Sequence, residues 1–282
     1  MRAVVITGVS SGIGRTTAQY LIERGFHVYG SVRKAADAEP LTSAFGSRFT
    51  PLIFDVTDEA GVRAAAALVA NQLDGACLAG IVNNAGIAVV GPVQELPLAD
   101  YRRQFEINVF GAIAVTQAFA PLLGTDASRT GPRGRIVMMS SVAGQNGNPF
   151  MSAYCASKHA LEGLSESLRR EMMLHGIDVV IVAPGAVKTP IWDKADGTDI
   201  SAFAASPYYA AMKSTKAVME HFAATGLPPE KIAEAVHIAL TAPNPKVRYE
   251  ISPEPMRQLA FRLLPKRLID RVIAGRLGLR KA

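Results

Sequence analysis

The chain has 282 residues, of which 49% are hydrophobic and 19% charged, with a net charge of +6. This composition excludes a disordered chain and a collagen-like repeat, and two cysteines, Cys77 and Cys155, exclude a disulfide framework or a four-cysteine zinc site. The apolar runs fall short of the roughly 20 residues of a membrane span, and no long apolar leader opens the chain, so a cytoplasmic location is expected.

Short runs rich in Val and Ile occur near 3–7, 27–32, 51–56, 78–83, 134–139, 177–183 and 247–251. Each is of strand length and bounded by turn residues. Segments of helical period separate them, as in Leu161, Leu164 and Leu168. Strands apolar on both faces predict a parallel sheet covered by helices on both sides, a doubly wound α/β fold. The stretch 190–225 has no strand and carries Trp192, Phe203, Tyr208 and Tyr209, so it is expected to be a substrate lid within a catalytic domain 1–255.

The first strand runs into Thr7-Gly8-Val9-Ser10-Ser11-Gly12-Ile13-Gly14, and a helix follows. Gly8, Ser10, Ser11, Gly12, Ile13 and Gly14 are the expected phosphate cradle. Glycine lets the backbone approach a pyrophosphate closely, and the helix N-terminus offers unpaired N–H groups. The same residues, Gly8-Val9-Ser10-Ser11-Gly12, also match the nucleophile elbow of a serine hydrolase, which is the alternative from another reaction class. After the second strand stands Val32-Arg33-Lys34. Val32 cannot bind a ribose 2′-hydroxyl as an acid would, whereas Arg33 and Lys34 suit a 2′-phosphate, so NADP(H) is expected. Asp55-Val56 at the third strand end and Asn83, Ala85 and Gly86 at the fourth are further candidate cofactor contacts.

Tyr154 and Lys158 lie one helical turn apart, and Ser141 ends a strand. Carbonyl reduction needs a proton donor at the oxygen that gains charge. Tyr154 is expected to be that acid or base. Lys158 would lower its pKa and hold a ribose, and Ser141 would orient the carbonyl. An enzyme is favoured over a non-catalytic NADP-binding sensor, which would need no proton donor.

These motifs, with Asn108-Val-Phe-Gly111 and Pro184-Gly185, resemble the short-chain dehydrogenase/reductase family over residues 3–190. The resemblance implies a Rossmann-type, seven-stranded parallel sheet. It also implies that Asn108 belongs to the catalytic set and that Pro184, Gly185, Val187 and Thr189 contact the cofactor. Homodimers or homotetramers built on helices near 99–123 and 152–175 are implied as well. The ending, Val247 to Ile251 plus about thirty residues, is similar to the hydroxysteroid and retinol dehydrogenase branches, which implies a bulky apolar carbonyl or alcohol substrate. A 3-oxoacyl thioester reductase is the alternative within the family.

Residues 256–282 hold eight basic residues and one acid, Asp270, while the rest of the chain is nearly neutral. Charge confined to a tail argues against nucleic acid. Apolar and basic residues at helical spacing on either side of Pro265 predict two short helices. These would either pack on the body or make peripheral contact with an acidic membrane. No metal site is expected, because the five histidines lack ligand spacing.

Overall fold

Ala3, Val4, Val5 and Ile6 of β1 (Arg2–Ile6) are all buried, because alternate side chains enter different cores. Val4 and Ile6 join one core, and Ala3 and Val5 join the other. The computed structural model describes residues 2–189 and 200–279, with the backbone alone for 222 and 223. The start of the expected lid, including Trp192, and the basic residues Arg280 and Lys281 lie outside the described residues.

The other strands are β2 (Phe26–Val32), β3 (Phe49–Ile53), β4 (Gly80–Asn83), β5 (Arg135–Met139), β6 (Asp178–Pro184) and β7 (Arg248–Ile251). They form one seven-stranded sheet in the order β3-β2-β1-β4-β5-β6-β7, with every pairing parallel. The doubly wound expectation therefore holds. Pro51 sits in β3, an edge strand, where its missing N–H breaks no central ladder. The third strand ends earlier than expected, at Ile53, so Asp55 and Val56 belong to the turn that follows it.

Helices α1 (Gly12–Glu23) and α8 (Pro229–Thr241) cover one face, burying Ala18 and Leu21 with Ile232 and Val236. On the other face, α3 (Glu59–Leu73) buries Val62 and Val69. Beside it runs a long helical segment made of α4 (Leu98–Phe105), a π-turn at Glu106–Phe110, α5 (Gly111–Ala120) and a second π-turn at Pro121–Thr125. Among the described residues, Leu98–Thr125 is the one helix long and apolar enough to cross a membrane, although polar residues interrupt its apolar stretch in the sequence. In the fold its Val115, Phe119 and Leu123 fill the second core. Helix α6 (Ser152–Met172) ends in a 3-10 turn at Met173–His175, matching the expected span of 152–175.

Helix α2 (Ala35–Phe45) follows β2, and α7 (Tyr209–Thr225) lies in the expected lid. After β7 the chain forms α9 (Pro255–Leu263) and α10 (Lys266–Leu277), broken at Pro265 as expected.

Candidate active site

Above the carboxyl ends of the strands lies a cavity of about 1000 Å³. The glycine-rich turn from Gly8 to Gly14 lines one end, with Arg33, Asp55, Val56, Ala85 and Gly86. Ser141, Tyr154, Lys158, Pro184, Gly185, Val187 and Thr189 line the middle. The far wall is largely apolar and comes from α9, α10 and the corner between them, with Phe261, Leu264, Leu268 and Val272 beside Arg257, Gln258 and Arg276.

The turn is built on close packing. Gly8 and Gly12 hold positive φ, +72° and +56°, which glycine adopts without strain. A Cβ on Gly14 would lie 2.2 Å from the Gly8 carbonyl oxygen and 2.5 Å from Asn84 Nδ2. Asn84 explains that contact: its Nδ2 donates to the carbonyls of Thr7 (2.8 Å) and Gly8 (3.2 Å). Thr7 Oγ1 in turn accepts from the N–H groups of Asn84 and Ala85, each at 2.9 Å. Ser31 Oγ accepts from the Gly8 N–H at 3.0 Å. Ser31 and Asn84 thus shape the turn, although neither was a candidate contact.

Asn83 lies elsewhere. Neighbouring residues on a strand face opposite ways, and Asn83 points into the second core, donating to Thr116 Oγ1 (3.0 Å) and Met138 Sδ (3.2 Å). It does not line the cavity, and neither does Lys34, an exposed residue just before α2.

Ser141 precedes a 3-10 turn, Val142–Gly144, and its Oγ accepts from the Ala143 N–H at 3.1 Å. It also hydrogen-bonds to the Tyr154 hydroxyl. Lys158 is buried, and its Nζ donates to the Met139 carbonyl at 2.7 Å while lying 5.8 Å from the centre of the Tyr154 ring. Asn108 sits in the first π-turn, behind this group rather than on the cavity wall. It accepts from the Ile87 N–H (2.9 Å) and donates to the Ile87 carbonyl and to Ser157 Oγ, both at 3.1 Å.

The titration of the pair differs from expectation. The adjacent ammonium was expected to lower the Tyr154 pKa. Burial instead pushes it up to about 12, against a smaller downward pull from the Ser141 hydrogen bond. Burial also pushes Lys158 down to about 8, opposed by the Glu162 carboxylate.

Glu162 is a third residue that was not a candidate. It stands one helical turn beyond Lys158, accepting from Ser140 Oγ at 2.6 Å and from Arg248 Nε at 3.1 Å. Arg248 also pairs with Glu250 at 2.5 Å, and Glu250 with Arg262. One polar chain therefore joins the serine loop, α6, β7 and α9. The spacing from Lys158 was visible in the sequence; the partners were not. The hydrolase alternative fails here, because no histidine among the described residues lines the cavity around Ser10.

The chain belongs to the short-chain dehydrogenase family, whose profile matches residues 2–199, and is an oxidoreductase. It is 36% identical over 273 residues to the NADPH-dependent 3-dehydrocapnine reductase of Ornithobacterium rhinotracheale, covering 96% of either chain. It is 33% identical over 288 residues to retinol dehydrogenase 5 of Homo sapiens, covering 96% of this chain and 87% of the relative. A solved short-chain dehydrogenase from Streptomyces avermitilis superposes with a TM-score of 0.78 at 30% identity, over 97% of this chain and 94% of that one.

The Glu162–Arg248 pair gives a stability test. Removing Glu162 leaves Arg248 with Glu250 as its remaining partner and Ser140 Oγ without its acceptor, so Glu162→Ala is expected to cost roughly 1–3 kcal/mol in urea unfolding. The double variant Glu162→Ala/Arg248→Ala is expected to cost less than the sum of the single changes, with a coupling of about 0.5–3 kcal/mol. Strict additivity would show that the pair is not coupled.

Proposed function

We propose that the chain is an NADP(H)-dependent oxidoreductase that interconverts a carbonyl and an alcohol on a bulky apolar substrate, with Tyr154 as the acid or base. The observation that carries this reading is the Tyr154 hydroxyl, hydrogen-bonded to Ser141 between a glycine-rich turn and an apolar wall.

The turn suits a dinucleotide. Its glycines leave no Cβ over the start of α1, where unpaired N–H groups would receive a pyrophosphate. Arg33 reaches the same cavity and would pair with a 2′-phosphate. Bound NADPH would supply the hydride to the carbonyl carbon. Tyr154 then gives its phenolic proton to the carbonyl oxygen, and Ser141 donates a hydrogen bond to that oxygen as its charge grows. A phenol with a pKa near 12 is fully protonated at neutral pH and ready for reduction. In the oxidative direction the phenolate needs a nearby positive charge, which Lys158 provides. Asn108 braces this group from behind, tying the π-turn to the Ile87 backbone and to Ser157 on α6.

Tyr154→Phe is expected to cut turnover by about 10²–10⁴-fold, with NADPH affinity, measured by nucleotide fluorescence, changed only a few-fold. Near-normal turnover would end the assignment. In the wild type, kcat/KM for reduction is expected to be level on the acid side and to fall as pH rises through about 8, where Lys158 loses its proton. A profile that rises through that region contradicts the role given to Lys158.

The wild type is expected to prefer NADPH over NADH. A charge-assisted phosphate contact is worth about 1.5–3 kcal/mol, so Arg33→Ala should narrow the preference by about tenfold or more. Equal kcat/KM for the two nucleotides in the wild type would refute this.

We also infer a homodimer or homotetramer joined through the long helices 98–125 and 152–172, supported by exposed Leu98 and Phe110 on the first of them. Phe110→Asp is expected to lower the sedimentation coefficient to that of a monomer. A wild type that is monomeric at micromolar concentration would contradict the inference.

A further inference from the structure

Helix α9 packs Phe261 against the cavity but leaves a second apolar stripe facing water. Met256, Leu259 and Leu263, at i, i+3 and i+7, are 74%, 45% and 73% exposed. On other sides of the helix, Gln258 is buried, Arg257 pairs with Glu254 at 2.5 Å and Arg262 pairs with Glu250. A water-facing helix turns its apolar stripe to the core and its charges outward. The exposed stripe continues around the corner at Pro265 into Leu264, Leu268 and Val272, which are also exposed. Those three line the substrate cavity, so its mouth opens inside the apolar patch. Lys266 and Arg267 stand exposed at the same corner. Residues 256–279 carry six basic residues against one acid, Asp270.

We infer that the α9–α10 corner docks on an anionic membrane surface, with Met256, Leu259 and Leu263 entering the headgroup layer and the cavity mouth opening onto it. An apolar stripe edged by cations is what such a surface takes up. A second copy of the chain fits less well. A two-fold contact would set the same patch against itself and bring Lys266 and Arg267 of both copies together. That an apolar substrate passes from the lipid into the cavity rests on the proposed carbonyl chemistry; the docking itself does not.

The test is flotation of the full chain with phosphatidylserine/phosphatidylcholine vesicles and with pure phosphatidylcholine vesicles, at low and high salt. Binding is expected to be at least about tenfold stronger with phosphatidylserine and to fall with salt. Met256→Glu/Leu263→Glu is expected to lose about tenfold or more of that binding. Turnover of a water-dissolved carbonyl should stay unchanged, because neither residue lines the cavity. Lys266→Glu/Arg267→Glu gives a second variant that leaves the stripe intact and should abolish the preference for phosphatidylserine. Wild type that fails to float with phosphatidylserine at low salt, or variants that float as well as wild type, would overturn the inference. So would a stripe variant that turns an oligomer into a monomer while neither form binds vesicles, since the stripe would then be covered by a second copy. Vesicle binding without turnover of any carbonyl would sink the proposed chemistry and leave the docking standing.

Discussion

A parallel sheet that is apolar on both faces can keep water away only if helices cover both sides. That constraint governs this molecule. Once α1 and α8 have closed one face and α3 and α5 the other, polar side chains from the central strands have one place to meet, the rim where the strands end. Ser141, Gly185 and the glycine-rich turn all lie just past strand ends, and α6 brings Tyr154 and Lys158 to the same rim from the side. The cavity follows from the way the sheet is covered.

Burying a phenol and an ammonium together has electrostatic consequences. Both groups lose solvation, so each moves toward its neutral form, the phenol upward and the ammonium downward. The Met139 carbonyl solvates the ammonium with one short hydrogen bond, and the Glu162 carboxylate opposes the loss of its proton. Glu162 is in turn held by Ser140, the neighbour of Ser141, and by Arg248 on the last strand. The serine loop and the lysine helix therefore share one anionic anchor, which also reaches α9 through Glu250 and Arg262.

Much of this was legible in the chain. All seven strands were visible as short runs: β1, β4, β5 and β6 are buried on both faces, whereas β7, at the sheet edge, is half-buried and carries Arg248 and Glu250. The glycine-rich turn and the Tyr154–Lys158 spacing were visible because their geometry is local. What escaped depended on facing or on distant partners. Asn83 and Asn84 are adjacent, and only the pleat decides which one meets the turn and which one the second core. The end of β3 two residues before Asp55 depended on sheet pairing, which no local pattern carries. Glu162 draws its meaning from Arg248, 86 residues away. The direction of the Tyr154 shift required knowing how deeply the ring is buried, whereas sequence shows only that a lysine is near.

The two ends of the cavity differ in how they are built. The end lined by the glycine-rich turn is assembled from strand ends and turns scattered between Gly8 and Thr189. Much of the apolar wall comes from a single late stretch, Arg257 to Leu277, which contributes no strand. Every strand therefore precedes that wall in the chain. Exchange of this terminal segment by recombination would redraw the shape of that end of the cavity while every strand, and the Ser141–Tyr154–Lys158 group at the strand ends, was inherited intact.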